Sequence, residues 1–178
     1  FNWKVSIKNI GTAASTFTNG QKILVDNLPS SGATYGSPSV SGQTGISGTG
    51  SISCSLNAGT SDITCTASGG TVIIAATTGA FDVKWNTTPS STIGSLVNPR
   101  SGGSNKCAVD PDGVITESNE NNSCTDTVTV PSTCQAACTQ IGKPTPNCTN
   151  DKNHSGVVGI KWQFSPCTSG NDQYCYCQ

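Results

Sequence analysis

The sequence predicts a mainly β protein: a β-sandwich over residues 1–130, followed by a small disulfide-rich α+β appendage over residues 131–178. Three observations carry this expectation. Short stretches alternate apolar and polar residues with the period of two that a half-buried strand requires. Runs rich in Gly, Ser, Pro and Thr separate them as turns and loops. Ten cysteines accompany a single histidine, an even set that points to a disulfide framework in an oxidising compartment.

The first strand is predicted over residues 1–10, with Trp3, Val5 and Ile7 on one face and Lys4, Ser6 and Lys8 on the other. Asn9-Ile10-Gly11 ends it. Thr18-Asn-Gly-Gln21 is a turn, and residues 22–26 are the next strand. Residues 29–50 are expected to be a long loop with one weak strand at 37–40. Residues 51–56 and 61–66 flank Asn57-Ala-Gly-Thr60 and predict a hairpin. Folding it about Gly59 and Thr60 sets Cys54 opposite Cys65, so that bridge is local and agrees with the strand register. Residues 71–76 are apolar and β-branched, as a central strand is. In residues 80–85 the alternation points Phe81, Val83 and Trp85 inward, so Trp85 is a core residue. Residues 87–104 are expected to be a second loop.

Residues 107–130 organise the rest. Asp110-Pro-Asp-Gly113 is turn chemistry: proline presets φ, aspartate caps, glycine accepts a positive φ. An amide- and acid-rich loop follows, then a β-branched strand at 125–130, with Cys107 and Cys124 bracketing the loop. Pro131 marks a boundary. In the tail, residues 132–142 are the chain's good helix candidate, with Ser132 as N-cap, Gln135 completing a capping box and Gly142 at the stop. Cys134 and Cys138 share one face of that helix, and Cys175 and Cys177 share one face of a final strand. A helical step of about 6 Å matches a strand step of about 7 Å, so two parallel bridges fit. Cys148 and Cys167 flank a strand at 159–164.

Two resemblances follow from these motifs. Val-Asp-Pro-Asp-x-Val-Ile-x-Glu-Ser-Asn-Glu-Asn-Asn over residues 109–122, followed by a Thr-Val-Thr-Val strand, resembles the end of a CARDB module. That family comprises immunoglobulin-like, cell-adhesion-related domains of bacterial and archaeal surface proteins. Trp3-Lys-Val-Ser-Ile-Lys-Asn-Ile-Gly11 and the small residues after it are similar to the family's opening strand and Asn-x-Gly pattern. The resemblance covers residues 1–130 and implies an immunoglobulin-like sandwich. It departs from the family in a longer middle and in a chain that begins inside the family's second strand. The tail resembles, in part, the cysteine-stabilised αβ motif of defensin-like peptides. This implies the pairs Cys134–Cys175 and Cys138–Cys177, or the swapped pairs, and leaves Cys148 with Cys167. The tail is too short to bury a core without such staples.

Composition excludes several function classes. Nine Lys and Arg balance ten Asp and Glu, a net charge of -1, which gives no footprint for nucleic acid or an anionic membrane. No apolar run is long enough to span a bilayer, and the sequence carries no signal-peptide pattern. Zinc calls for repeated Cys pairs or Cys with His; no Cys-x2-Cys occurs, and His154 stands alone in a polar loop. An EF-hand register would place Ala108 at the first ligand position and Asn119 at the twelfth, so that loop fails. Asp110, Asp112 and Glu117 remain a weak calcium candidate beside the plain turn reading. Glu117 and Glu120 lack the flanking aromatics of a glycosidase site, no catalytic residue is assigned, and no cofactor is expected. Asn86, Asn121, Asn147 and Asn153 head N-x-S/T triplets and are glycosylation candidates.

The expectation is therefore an extracellular or cell-surface, non-enzymatic structural or adhesion protein. Its partners would be other protein chains, including copies of itself, or surface glycans. The chain start implies an unfilled sheet edge at Trp3, Val5 and Ile7, open to strand addition as in a pilus-like filament, or filled internally by residues 37–40. Alternatives are a carbohydrate-binding module, which needs exposed tryptophans among Trp3, Trp85 and Trp162, and the head of a type IV pilin.

Overall fold

The computed structural model describes residues 1–90, 94–130, 138–139, 142, 146–149, 162–163 and 174–177. The protein is mainly β, built from several antiparallel sheets. It divides into two compact units: Phe1–Thr88 with Val97–Thr127, and Pro89–Leu96 with Val128–Gln178.

In the first unit, β1 (Asn2–Lys8) lies antiparallel to β10 (Ala80–Pro89), in unbroken register from Asn2↔Asn86 to Lys8↔Ala80. The alternation acts as expected: Trp3, Ile7, Phe81, Val83 and Trp85 are buried. The other side of β10 takes β4 (Ala33–Tyr35) and β5 (Ser39–Thr44). A second sheet runs in the order β12 (Cys107–Val109), β3 (Lys22–Asn27), β8 (Asp62–Ser68), β7 (Ser51–Asn57). Its β7–β8 hairpin sets Cys54 opposite Cys65 in the ladder. A third sheet places β9 (Val72–Ile74) between β2 (Ser15–Phe17) and β6 (Ile46–Gly48). β6 and β9 approach closely: a Cβ on Gly48 would lie 2.1 Å from the Thr71 carbonyl oxygen, so no other residue fits there. A two-stranded sheet joins β11 (Ser95–Asn98) to β13 (Asp126–Thr129).

Two sequence expectations are corrected. Residues 29–50 are not one long loop: they hold β4, β5 and β6. Residues 87–104 contain the end of β10 and β11. Both segments are Gly-, Ser- and Thr-rich, with too few apolar residues to show a period of two, and they become strands by pairing with apolar neighbours. β3 also departs from simple alternation. The register steps from Lys22↔Thr66 to Leu24↔Cys65, so Ile23 is the extra residue of a bulge. The bulge lets Ile23 and Leu24 both be buried and keeps Asp26 on the inner face.

The second unit is described in part. β14 (Pro146–Thr149), β16 (Tyr174–Cys177) and β15 (Trp162–Gln163) form a three-stranded antiparallel sheet, with Cys148 opposite Cys175. Cys138 is buried and disulfide-bonded. Gly142 has φ of 71° and donates its N–H to the Thr139 carbonyl at 3.0 Å, the left-handed stop expected of a C′ glycine. The rest of the predicted helix, Cys134, Cys167, Asn153 and the implied pairings of Cys134, Cys138, Cys148, Cys167, Cys175 and Cys177 lie outside the described residues. Among the described residues, no helix is long and apolar enough to cross a membrane.

Candidate interaction edge

β1 is an edge strand among the described residues: β10 is its one ladder partner. Its bonding pattern follows from the two ends of that ladder. Phe1 and Thr87 exchange hydrogen bonds, N–H to carbonyl, at 3.1 and 2.7 Å, and the Asn9 N–H reaches the Gly79 carbonyl at 2.8 Å. The odd residues therefore bond to β10, and alternation turns the N–H and C=O of Asn2, Lys4, Ser6 and Lys8 outward. This corrects the expected edge in one respect. Trp3 and Ile7 send their side chains into the core and, with Val5, spend their backbone groups on β10; the open groups belong to the residues between them. Residues 37–40 do not fill the edge either, because Val40 pairs with Val83 on the far side of β10.

Two cavities lie along β1. One, of about 530 Å³, runs past Val5–Asn9 to Phe17, Ile74 and the loop 115–124. The other, of about 280 Å³, is bordered by Trp3, Lys4, Trp85, Asn98, Cys124 and Asp126. The loop side of these cavities is held by side chains. Gly113 closes a turn on the Asp110 carbonyl at 3.0 Å, and the Asp110 carboxylate accepts the N–H groups of Val114 and Ile115 at 3.0 and 2.7 Å. Asp112 is paired with Lys22 at 3.0 Å. The Glu117 carboxylate takes the Asn122 amide, and Glu120 accepts the Glu117 N–H at 3.0 Å. The weak calcium candidates Asp110, Asp112 and Glu117 are thus each engaged by a different protein donor.

Behind the edge sits a group that sequence reasoning missed. Asp26 is fully buried, and its carboxylate oxygen and the Cys107 and Cys124 sulfurs lie within 4.8 Å of one another. Both sulfurs are spent in the Cys107–Cys124 disulfide, so the trio offers no thiolate ligands. Asn98 donates to Asp26 at 2.9 Å. Burial pushes the Asp26 carboxyl up to about 6, against the pull of that hydrogen bond and with a further push from Asp62. Burial, then the Asp26 charge, lift the Tyr35 hydroxyl to about 12. Burial would raise Asp62, but hydrogen bonds from Arg100, Asn27 and Thr60 and the Arg100 charge hold it below the usual carboxylate range. The one sequence signal for Asp26 is its place on the Leu24 face of a strand.

Cys54 and Cys65 are bonded across their ladder, and no described cysteine is free. Asn86 and Asn121 are exposed, and Asn147 lies in β14. Trp3 and Trp85 are buried, so neither offers the exposed face that a carbohydrate platform needs; the Trp162 side chain lies outside the described residues. No known family model matches the chain, and no curated protein or solved structure matches it.

Proposed function

We propose that this protein is a non-enzymatic extracellular module, structural or adhesive, that joins other protein chains by β-strand addition along β1. The fold reading that goes with it is an immunoglobulin-like sandwich of the CARDB kind. One observation carries the proposal: β1 presents the outward N–H and C=O groups of Asn2, Lys4, Ser6 and Lys8 beside two cavities. An added strand bonds those groups, and its side chains enter the cavities. The edge is lightly guarded, by Lys4 and Lys8 alone as the charged residues of β1. If a second copy supplies the strand, the contact is head-to-tail and propagates into a filament. The disulfides support an oxidising location.

Light scattering and negative-stain imaging at rising concentration test this, with Lys4→Pro as the blocking variant. Proline at position 4 removes an outward N–H and spares the β10 ladder. The side chain it removes makes one surface ion pair, with Asp82 at 3.6 Å, of little worth. The parent should assemble and the variant should stay monomeric with an unchanged far-UV spectrum. Deleting residues 1–10 is a poorer test, because it takes Trp3 and Ile7 from the core. A parent that stays monomeric at millimolar concentration and binds no strand-forming peptide refutes the proposal.

A further inference from the structure

The acid behind the edge has a particular place beside its disulfide. Asp26 on β3 is the cross-strand partner of Cys107 on β12, and its carboxylate oxygen and the Cys107 and Cys124 sulfurs lie within 4.8 Å of one another. Cross-strand partners send their side chains to the same face, so the approach follows from the register. Among the described residues, no other acid is so placed against a cysteine pair. The two sulfurs belong to residues of different access. Cys107 is 1% exposed, whereas Cys124 is half-buried and borders both cavities along β1. Access alone does not set this pair apart, because Cys65 is buried and Cys54 half-buried in the same way. What sets it apart is the acid, and a loop with little ladder of its own.

Thiol–disulfide exchange needs a thiolate that reaches one sulfur and a second sulfur that can leave. Access selects Cys124 for attack and so makes Cys107 the leaving sulfur. A thiolate released in a buried site is costly unless it gains a proton. Asp26 can supply one: burial keeps its carboxyl protonated up to about pH 6, and its separation from the sulfurs is one that a single bridging water spans. The groups around Asp26 are few. Asn98 of β11 donates to it, and the charge of Asp62 on β8 favours its protonated form. Arg100 is committed to Asp62 at 2.8 Å, and the Tyr35 hydroxyl of β4, lifted to about 12, stays neutral.

We infer that Cys107–Cys124 is an exchangeable disulfide, opened by a low-molecular-weight thiol at Cys124, with Asp26 as proton donor to the departing Cys107 sulfur. A small thiol is the fitting reactant because Cys124 is reached beside cavities of about 530 and 280 Å³. Its thiolate attacks Cys124 Sγ, the S–S bond breaks, and the electron pair leaves on Cys107 Sγ. That sulfur takes the Asp26 proton, and solvent later restores it to the carboxylate. A second thiolate attacks the mixed disulfide at the small molecule's sulfur and releases Cys124. Two external thiols are thereby oxidised to a disulfide and one protein disulfide is reduced. Opening removes the cross-link that seats the loop 110–124, and that loop forms one side of the larger cavity. The site stands whether or not a strand adds to β1.

The test incubates the full oxidised chain with reduced glutathione over a pH series, quenches with an alkylating reagent and maps each cysteine by mass spectrometry. Rates are divided by the glutathione thiolate concentration, which removes the reagent's own titration. Cys107–Cys124 should open about ten-fold faster than Cys54–Cys65, with glutathione on Cys124 and the alkyl group on Cys107. The parent's rate per thiolate should fall about ten-fold as pH rises through about 6, and Asp26→Asn should give a flat profile. Asn98→Leu keeps the acid but removes the hydrogen bond that lowers it, so its fall should move to higher pH. That variant decides the question if Asp26→Asn does not fold. Glutathione found on Cys107, or Cys54–Cys65 opening as fast, overturns the exchange site. A parent profile without the fall, or a fall that Asp26→Asn retains or Asn98→Leu leaves in place, overturns Asp26 as the donor. A Cys107–Cys124 bond that glutathione does not open overturns the whole inference.

Discussion

Two stretches of the first unit are closed by disulfides, and they are held in opposite ways. Cys54 and Cys65 join strands already locked by a ladder running from Ser51↔Ser68 to Asn57↔Asp62, with Cα atoms 4.0 Å apart. Cys107 and Cys124, with Cα atoms 5.1 Å apart, close a stretch with little ladder of its own. β12 pairs with β3 through Cys107, Ala108 and Val109, and a lone bridge joins Ala108 to Ser123. Between them the backbone is fixed by side chains, chiefly Asp110, Glu117 and Glu120. Where a ladder fixes the chain, the cross-link repeats information the backbone already holds. Where side chains fix it, the cross-link decides where the loop sits. That loop forms one side of the larger cavity along β1, so the proposed interaction edge depends on the second kind of region.

The comparison can be broken most forcefully by removing each disulfide. The closed loops differ little, with sequence separations of 11 and 17, and the loss of unfolded-state constraint is about 3 kcal/mol in each case. Urea unfolding of Cys54→Ser/Cys65→Ser and of Cys107→Ser/Cys124→Ser should give similar global losses. Hydrogen exchange should separate them. Hairpin amides should stay protected in the first variant, whereas amides of residues 110–124 should lose protection in the second. Equal local loss in both would end the distinction.

Asp26 sharpens it from behind. Its carboxyl keeps its proton to about pH 6 in the folded chain, against an ordinary value of 3.8. Between those values the folded state binds more protons than the unfolded one, so stability falls as pH rises through that window and is level above it. Asp26→Asn should remove this slope and stabilise the protein at pH 7 by on the order of 2 kcal/mol. Asp62, held low, slopes the opposite way at more acidic pH, so the measurement is the difference between parent and variant curves. A variant with the parent's slope between pH 4 and 6 would show that Asp26 is not the group responsible.

The smallest effect tests the loop's side-chain scaffold. Asp110→Ala strips the acceptor from the Val114 and Ile115 N–H groups and should cost about 1–2 kcal/mol, with fraying confined to residues 110–116. A chelator should leave the parent's melting temperature unchanged, since protein donors already occupy the carboxylates. A fall of several degrees with chelator would restore calcium to this loop.

Some of this was legible in the chain as written. The alternation in residues 1–10 and 80–85 fixed which side chains enter the core, because a strand has a period of two and each apolar set faces one way. The Cys54–Cys65 register and the Asp110–Gly113 turn were readable because both are local. Hairpin symmetry sets the first, and backbone sterics set the second. β4, β5 and β6 were not readable, because a Gly- and Ser-rich segment carries no periodic signal and becomes a strand only when a neighbour offers a ladder. Nor was the edge itself: which of β1's backbone groups stay open depends on where β10 pairs and where β5 goes, and both are long-range choices. Asp26, Asn98 and Trp85 lie far apart in sequence. Only the packing of three strands turned an acid into a buried neighbour of a disulfide, and buried Asn98 and Trp85 with it.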